Sequence, residues 1–275
     1  MVKNLQKTAA FYRKNVGVID PEGFAKHVQM EIYEPSVELA PFVSHYFVAR
    51  FNVGEAGYEA SDVLSEPDVH VVFAPHESFI MGVMTARRAM TLKGKGCYAG
   101  IRFKSGGFHG FWPGAMANLA ERTVPVSDIF PAADETFTKK VLALDDPSII
   151  AAFEALLKAR NPKPDPKIDL IDHIIDAIET TPALTTTSAV ARQFAVSERS
   201  LQVLFQTYTG IGVKWVIMRL RLLEAIRHAH NPSSLNWTTI AAELGYSTQS
   251  HFVNDFKKVM GISPTKYIRL HLTKP

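Results

Sequence analysis

The side chains with the clearest capacity to recognise another molecule are one guanidinium and several amides on two segments near the C-terminus. Arg199 can donate two hydrogen bonds to guanine, whereas glutamine and asparagine can pair with adenine. Exposed groups of this kind on helices predict contacts with base edges in the major groove of double-stranded DNA. The residues that we expect to contact bases are Arg199, Gln202, Val203, Gln206, Gln249, Ser250 and Asn254.

These two segments are copies of one pattern, 191–210 and 242–261, and their landmarks recur at an offset of 51 residues. Each copy predicts a short apolar helix, a polar turn with a capping side chain, an amphipathic helix and a closing glycine. We expect Ala191 and Ala242 to let the paired helices approach closely, and Gly245 to adopt a left-handed turn conformation. The second turn is predicted to be one residue longer than the first. The chain therefore carries two predicted helix-turn-helix units.

Positive charge is concentrated in the same part of the chain. Residues 167–275 hold 12 basic and 8 acidic residues, whereas residues 1–166 hold 18 and 19. An excess of this sign suits a surface that faces phosphates, although a solvated helical surface gives the same count. The side chains that we expect to contact phosphates are Arg192, Lys214, Arg219, Lys257 and Lys258.

Apolar spacing predicts that the C-terminal part is entirely helical. A long helix over residues 213–229 should join the two units rigidly, with Val216, Leu220 and Leu223 facing inward. Leu201, Phe205, Phe252 and Phe256 should be core residues and not DNA contacts. The other predicted helices cover residues 168–179, 187–194, 198–209, 237–244, 249–260 and 264–270.

The N-terminal part has short β-branched and aromatic segments separated by glycine and proline, which predicts strands. The predicted strands are 30–33, 42–51, 70–73, 79–84 and 98–103, followed by helices at 134–144 and at 148–160, the latter capped by Ser148. Prolines at alternate positions in 161–166 predict an extended linker. The expected fold class is α+β: a β-rich domain of barrel or sandwich type with appended helices (1–160), the linker (161–166) and an all-α domain (167–275).

The C-terminal hundred residues resemble the AraC/XylS family of bacterial transcription regulators. The likeness rests on Ser197-x-Arg199-x-Leu201, on Ile240-Ala-x-x-Leu-Gly245-Tyr-Ser, on His251-Phe252 and on the Gly261-x-Ser-Pro264 run. The resemblance implies two helix-turn-helix units bridged by one long helix. Positions 203 and 254 often hold arginine in this family, so Val203 and Asn254 imply a reader that prefers more A·T pairs.

Residues 33–160 resemble a sensor-type domain found ahead of such units in regulators of unassigned ligand. The likeness rests on residues 39–43, 64–68 and 100–107, although Ser105 departs from the usual Pro-Gly-Gly turn. This resemblance implies a small-molecule effector. A candidate ligand pocket consists of Arg102, Phe103, Phe108, Phe111 and Trp112, for which ordinary core packing is an equal alternative.

Catalytic and metal functions have little support in the sequence, and no cofactor is expected. Histidines 45, 70, 76 and 109 lack partners at ligand spacing, and the spacing of Asp62, Glu66, Asp68 and His70 does not exceed chance. Cys97 is the only cysteine, which excludes a cysteine-based zinc site. No membrane-length apolar run or signal peptide is apparent, so a cytoplasmic location is expected.

The sequence thus predicts a DNA-binding transcription regulator that is not an enzyme and that responds to a small ligand bound by its N-terminal domain. The alternative is a DNA-binding architectural protein whose N-terminal domain serves only dimerisation. Double-stranded DNA is the expected partner in both cases, and the sequence leaves the choice between a monomer and a homodimer open.

Overall fold

The structure is a computed structural model that describes residues 21–63, 66–85, 88–229 and 236–271. The expectation about a signal peptide falls mainly on residues 1–20, which lie outside these ranges. Within them, no helix combines the length and the apolar character needed to cross a membrane.

The N-terminal half is built around an antiparallel sheet. After helix α1 (Pro21–His27), eight strands follow: β1 (Val28–Tyr33), β2 (Val43–Asn52), β3 (Tyr58–Val63), β4 (His70–Phe73), β5 (Phe79–Met81), β6 (Arg88–Leu92), β7 (Lys95–Phe103) and β8 (Thr123–Pro125). Six of them form one sheet in the order β1-β2-β7-β4-β5-β8, while β3 and β6 form a separate pair. The β-rich expectation is confirmed, and β1 and β8 lie at the two edges of the large sheet.

Five strands were expected and three more are present. Strands β3, β6 and β8 were not predicted, because their sequences are short or polar and lack a clear apolar alternation. Strand β5 is shorter than predicted and ends at Met81. The chain turns away there at Gly82, where a Cβ would lie 2.0 Å from the carbonyl oxygen of Leu119.

Two helices cover one face of the large sheet. Helix α2 (Glu135–Val141) is capped by Asp134, and helix α3 (Asp146–Lys158) places Phe153 against the ring of Phe73, with 4.6 Å between ring centroids. The predicted Ser148 cap is wrong. Asp145 caps α3 instead, because its carboxylate accepts the backbone N–H of Ser148 at 3.1 Å.

Residues 161–165 connect the two halves and form no helix or strand. Helix α4 (Pro166–Thr180) begins at the last residue of the predicted linker, since Asp165 caps it and proline is favoured in the first helical turn. Buried side chains of both halves form one continuous hydrophobic cluster. The division into two domains therefore stays a prediction.

The C-terminal half is helical, as predicted. It contains α5 (Thr187–Gln193), α6 (Glu198–Thr209), α7 (Val213–Ala229), α8 (Trp237–Glu243), α9 (Gln249–Met260) and α10 (Pro264–His271). Helix α7 lies at the centre of this half and packs against α4, α5, α6, α8 and α9. Its inward stripe of Val216, Leu220 and Leu223 is buried, which confirms the predicted orientation.

The two halves touch through the end of α6 and through α4. The rings of His109 and Tyr208 stack with 4.4 Å between their centroids. Gly210 lies against the backbone of Met116, where an added Cβ would be 2.5 Å from the carbonyl oxygen. On α4, Asp169 and Asp172 lie 3.3 and 3.4 Å from the ammonium of Lys104.

Candidate DNA-binding surface

The first helix-turn-helix unit consists of α5 and α6, and the packing of α6 decides which of its residues face outward. Leu201 and Phe205 are fully buried, and Ser197 caps the helix by accepting the backbone N–H of Ser200 at 3.0 Å. The opposite face is exposed and carries Arg199, Gln202 and Val203, the last with 56% of its surface accessible. These predicted base-contact residues therefore share one solvent-facing side of α6.

Gln206 lies on the same exposed face but near the end of α6. Its side-chain amide donates a hydrogen bond of 3.0 Å to the carbonyl oxygen of Gly210. This bond occupies one of the amide donors at the C-terminus of the helix. A base contact by Gln206 would therefore require the amide to exchange partners or to use its remaining groups.

The second unit consists of α8 and α9 and repeats this design. Thr248 caps α9 by accepting the backbone N–H of His251 at 3.2 Å, and Phe252 and Phe256 are fully buried. Gln249, Ser250 and Asn254 are all exposed on the opposite side. Gln249 is already oriented, because its carbonyl oxygen accepts the hydroxyl of Thr238 at 3.1 Å.

The turns of the two units differ, as predicted. The first occupies residues 194–197 and the second residues 244–248, so the second is one residue longer. Gly245 has a φ of +72°, which confirms the expected left-handed residue, and Ala195 holds the equivalent position at +53°. The alanine assignment was partly wrong: Ala242 is exposed, and the buried counterpart of Ala191 is Ala241. The apolar helices align at an offset of 50, not 51, because of the longer turn.

Four of the five predicted phosphate contacts are exposed. Arg192 lies at the end of α5, Lys214 at the start of α7, and Lys257 and Lys258 near the end of α9. Their side chains are available to phosphate oxygens without any change in packing.

Arg219 is the exception, and its assignment as a phosphate contact is wrong. Only 1% of its surface is accessible, because it falls on the inward side of α7 between Val216 and Leu223. Burial lowers the pKa of its guanidinium to about 10, although the charges of Glu66 and Asp68 oppose this change. Its spacing of three and four residues from Val216 and Leu223 could have indicated from the sequence that Arg219 is buried.

The predicted ligand pocket does not form one site. The rings of Phe103, Phe108 and Phe111 are buried against one another, with 4.9 to 5.9 Å between centroids, so they fill the space themselves. Trp112 is partly buried and donates its indole N–H to the carbonyl oxygen of Ala115 at 3.1 Å. Side chains alternate along a strand, so Arg102 leaves β7 on the other face from Phe103. The proposed grouping is therefore wrong in this conformation.

Cavities lie elsewhere among the residues that the structure describes. One of about 250 Å³ lies between α4, α7 and the end of α8, and it is bordered by Leu184, Leu220 and Leu244. Another, of about 200 Å³, lies beside β5 and α2 and is bordered by His76, Ser78 and Ser127. Neither involves the predicted pocket residues. Among the residues that the structure describes, no cluster of His, Cys, Asp and Glu could hold a metal ion.

Arg102 belongs to a buried ionic cluster that the sequence did not reveal. Its Nε donates to Asp68 at 2.5 Å, and its Nη2 lies 2.6 Å from a carboxylate oxygen of Glu66. His70 lies opposite Arg102 in the pairing of β4 with β7, and its Nε2 is 3.1 Å from Asp68. Sequence spacing brought Glu66, Asp68 and His70 under consideration, but their arginine partner lies more than thirty residues further along the chain.

The pKa values in this cluster follow from burial and pairing. Burial opposes ionisation of Asp68, but the charges of Arg102 and His70 outweigh it and hold the Asp68 pKa below its ordinary value. For Glu66 burial is the stronger effect, and its pKa is raised despite the nearby Arg102 and Arg219. The cluster is therefore a compensated set of charges and not an isolated buried acid.

Two family profiles match this chain, one in each half. A profile described as a helix-turn-helix domain matches residues 190–270, and a profile described as a domain of unknown function (DUF6597) matches residues 31–125. The protein named HTH-type transcriptional activator RhaS, from Escherichia coli O139:H28, is 34% identical over 95 residues. That alignment covers 34% of this chain and 31% of RhaS, so the chain spans about a third of the length of this relative.

Among solved structures, the C-terminal domain of the response regulator AraT from Geobacillus stearothermophilus is 26% identical, with a TM-score of 0.32. That similarity covers 37% of this chain and 85% of the AraT domain. A structure of ToxT from Vibrio cholerae is 11% identical over 90% of this chain and 99% of ToxT, with a TM-score of 0.41. Neither superposition is close enough to describe this fold. The C-terminal half of this chain, with its two units and linking helix, is therefore similar to a helix-turn-helix domain and to part of a transcriptional activator.

Proposed function

We propose that this chain is a sequence-specific DNA-binding transcription regulator in which α6 and α9 read the bases. One observation carries the proposal: two N-capped helices of matching design each bury an aromatic stripe and expose a polar face. Such a helix can enter the major groove with its N-terminal residues against the base edges. The reading residues are then Arg199 and Gln202 on α6, and Gln249, Ser250 and Asn254 on α9.

The proposed contacts divide into two classes. Arg199 suits guanine, while the amides of Gln202, Gln249 and Asn254 suit adenine, and Val203 suits the methyl group of thymine. The exposed cations Arg192, Lys214, Lys257 and Lys258 contact phosphates and fix the register of the helices. Because amides outnumber arginine on the reading faces, the preferred operator is rich in A·T pairs.

One chain carrying two reading helices can occupy successive major grooves, about 34 Å apart. A homodimer would double the length of the site. The N-terminal half, in a cytoplasmic protein without catalytic activity, would adjust DNA binding in response to a small effector. A thermal-shift screen of the full chain against metabolites tests the effector, since a ligand that binds the native state raises its melting temperature.

Selection of binding sites from random duplexes with the full chain tests the DNA-reading function. We expect a two-part, A·T-rich consensus. The control variant Lys93→Ala, which removes one positive charge from an exposed residue of the N-terminal half, should select the same consensus. A strongly G-rich consensus in both parts contradicts the proposed reading residues. Binding without any sequence preference contradicts the proposed function itself.

Salt dependence tests the phosphate contacts separately. Removing one phosphate contact lowers the slope of log K against log salt by about 0.9 for duplex DNA. We therefore expect Lys258→Ala to weaken binding to all sequences equally and to reduce this slope, whereas Lys93→Ala leaves it unchanged. Equal slopes for wild type and Lys258→Ala would remove this lysine from the interface.

A further inference from the structure

The first residue of each reading helix carries a different polar group. Helix α9 begins at Gln249 and helix α6 begins at Glu198, and both side chains are exposed directly after the residue that caps the helix. The N-terminal residues of a recognition helix lie nearest the base edges in the major groove, so both side chains are placed to meet a base. The two units therefore present an amide and a carboxylate at equivalent positions.

An amide and a carboxylate differ in the base edges that they can read. An ionised carboxylate presents only acceptors, which suits the amino groups of cytosine and adenine, and its two oxygens are equivalent. An amide has one acceptor and one donor group, so a glutamine that rotates freely about its last torsion can meet either a base acceptor or a base amino group. The bases that Gln249 selects therefore depend on what holds its amide.

In the second unit the amide of Gln249 is held by Thr238 of α8. The hydroxyl of Thr238 donates to Oε1 of Gln249 at 3.1 Å, which joins the two helices of the unit. Thr238 is itself fixed at the start of α8, because its backbone N–H donates to the side chain of the cap residue Asn236 at 2.9 Å. Since Oε1 and Nε2 lie on opposite sides of one planar group, the bond to Oε1 turns the donor Nε2 away from α8.

The first unit is built differently at the same place. Ser188 is the second residue of α5, as Thr238 is of α8, and its hydroxyl oxygen lies 3.3 Å from the hydroxyl oxygen of the cap residue Thr186. Within the described ranges, no hydrogen bond joins Ser188 to Glu198. The contact between the two helices thus occurs in the unit whose reading group is an amide with two unlike ends, and it is missing where that group is a symmetric carboxylate.

We propose that Thr238 is a positioning residue that makes Gln249 a hydrogen-bond donor to DNA and so determines the base choice of the second unit. Gln249 then selects a base with an acceptor in the major groove, such as N7 of adenine, and rejects cytosine, which presents only its amino group there. Oε1 keeps a second acceptor position, so the paired contact with adenine is still available. This inference rests on the proposed DNA-reading function, but the bond between Thr238 and Gln249 is a property of the folded chain.

Binding of the full chain to operators that differ at one base tests the effect on specificity. The position read by Gln249 is the one at which Gln249→Ala removes the base preference. We expect wild type to prefer adenine over cytosine there, and Thr238→Val, which keeps the shape of the side chain but cannot donate, to reduce this preference about threefold to tenfold. Thr238→Ser keeps the hydroxyl and should restore most of the preference. The preferences in the first half of the operator should not change in either variant.

Thr239→Val is the matched control, because Thr239 is the exposed neighbour of Thr238 and contacts the same cap, Asn236, through its backbone N–H at 3.4 Å. It should leave the preference for adenine unchanged. In a Gln249→Ala background, Thr238→Val should have no further effect, since the hydroxyl acts only through the amide. An equal loss in Thr239→Val, or a loss in Thr238→Val that persists without Gln249, would overturn the proposal. So would a wild-type preference for cytosine, because the amide would then present its oxygen.

Nuclear magnetic relaxation of the glutamine side-chain amides in the full chain tests the bond without DNA. Gln202 of α6 is the internal reference, because it is also exposed on a reading face. We expect the order parameter of the Gln249 amide to exceed that of Gln202 in wild type and to fall to the Gln202 level in Thr238→Val. Equal order parameters in wild type overturn the positioning role of Thr238. If wild type shows no base preference, the proposed function fails, and the relaxation experiment still decides whether Thr238 holds Gln249.

Discussion

The two helix-turn-helix units share one design but are attached to the molecule in different ways. The first touches the N-terminal half directly, through Tyr208 on His109 and Gly210 on Met116. The second packs on α7, through Arg221 on Tyr246 and through the contacts of α8 and α9. Two units with similar sequences can therefore make different packing contacts with the rest of the molecule.

The closing glycines give the largest expected difference between the units. Gly210 and Gly261 both end a reading helix with a left-handed φ, of +78° and +70°. A Cβ at Gly210 would lie 2.5 Å from the Met116 carbonyl oxygen, whereas at Gly261 it would meet nothing within 4 Å. We expect Gly210→Ala to lower the free energy of unfolding by about 3 kcal/mol or more and Gly261→Ala by about 1 kcal/mol. Urea unfolding measures both, and equal losses would contradict the asymmetric attachment.

The free energy of unfolding is expected to depend on pH through Asp172 of α4, which lies against Lys104 of the N-terminal half. Burial raises the pKa of Asp172 from 3.8 to about 6, with only partial compensation by Lys104. The folded state therefore binds this proton more tightly than the unfolded chain. The protonated carboxyl of Asp172 therefore stabilises the fold fully below about pH 4. This stabilisation, of up to about 3 kcal/mol, is lost as the pH rises through 6.

Asp172→Asn should remove this part of the pH dependence. The measurement is the free energy of unfolding between pH 4 and pH 7 for wild type and variant. Asp169→Asn is the matched control, since Asp169 contacts the same Lys104 but is more exposed. If Asp172→Asn leaves the pH profile of the unfolding free energy unchanged, ionisation of this carboxyl does not destabilise the fold.

The turns should give the smallest effects, with opposite signs. Ala195 adopts a left-handed φ of +53°, so Ala195→Gly should relieve strain and stabilise the chain by about 0.5 kcal/mol. Gly245→Ala should destabilise it by about 1 kcal/mol, because its Cβ would also lie 3.0 Å from the side chain of Thr185. Thermal unfolding compares the two variants. Changes of the same sign would mean that the two turns are not equivalent.

Regular apolar spacing made much of this structure predictable. Because each helix buries one face, the stripe of Val216, Leu220 and Leu223 predicted the buried side of α7. In the same way, Phe205 and Phe256 predicted the buried sides of α6 and α9. Arg219 was assigned to the surface because a charged residue is usually exposed. Its position on the buried stripe was visible in the sequence, because Val216 and Leu223 lie three and four residues away from it.

Contacts between distant parts of the chain explain the other errors. The ionic cluster combines Glu66 and Asp68 with Arg102, and no local pattern connects these positions. Phe103, Phe108 and Phe111 have the composition of a pocket and also that of a core, and only packing distinguishes the two. Strand β8 has three residues and joins the sheet through pairing with β5, which its own sequence does not specify.

The most direct test of the central claim is a comparison of binding specificity for Arg199→Ala and Asn254→Ala in the full chain. If α6 and α9 each read one half of the operator, Arg199→Ala relaxes the preference at one base of the first half only. Asn254→Ala then relaxes one base of the second half only, each by about 1 to 3 kcal/mol. If both variants relax the same half, or if neither changes the selected sequence, the assignment of two separate reading helices is wrong.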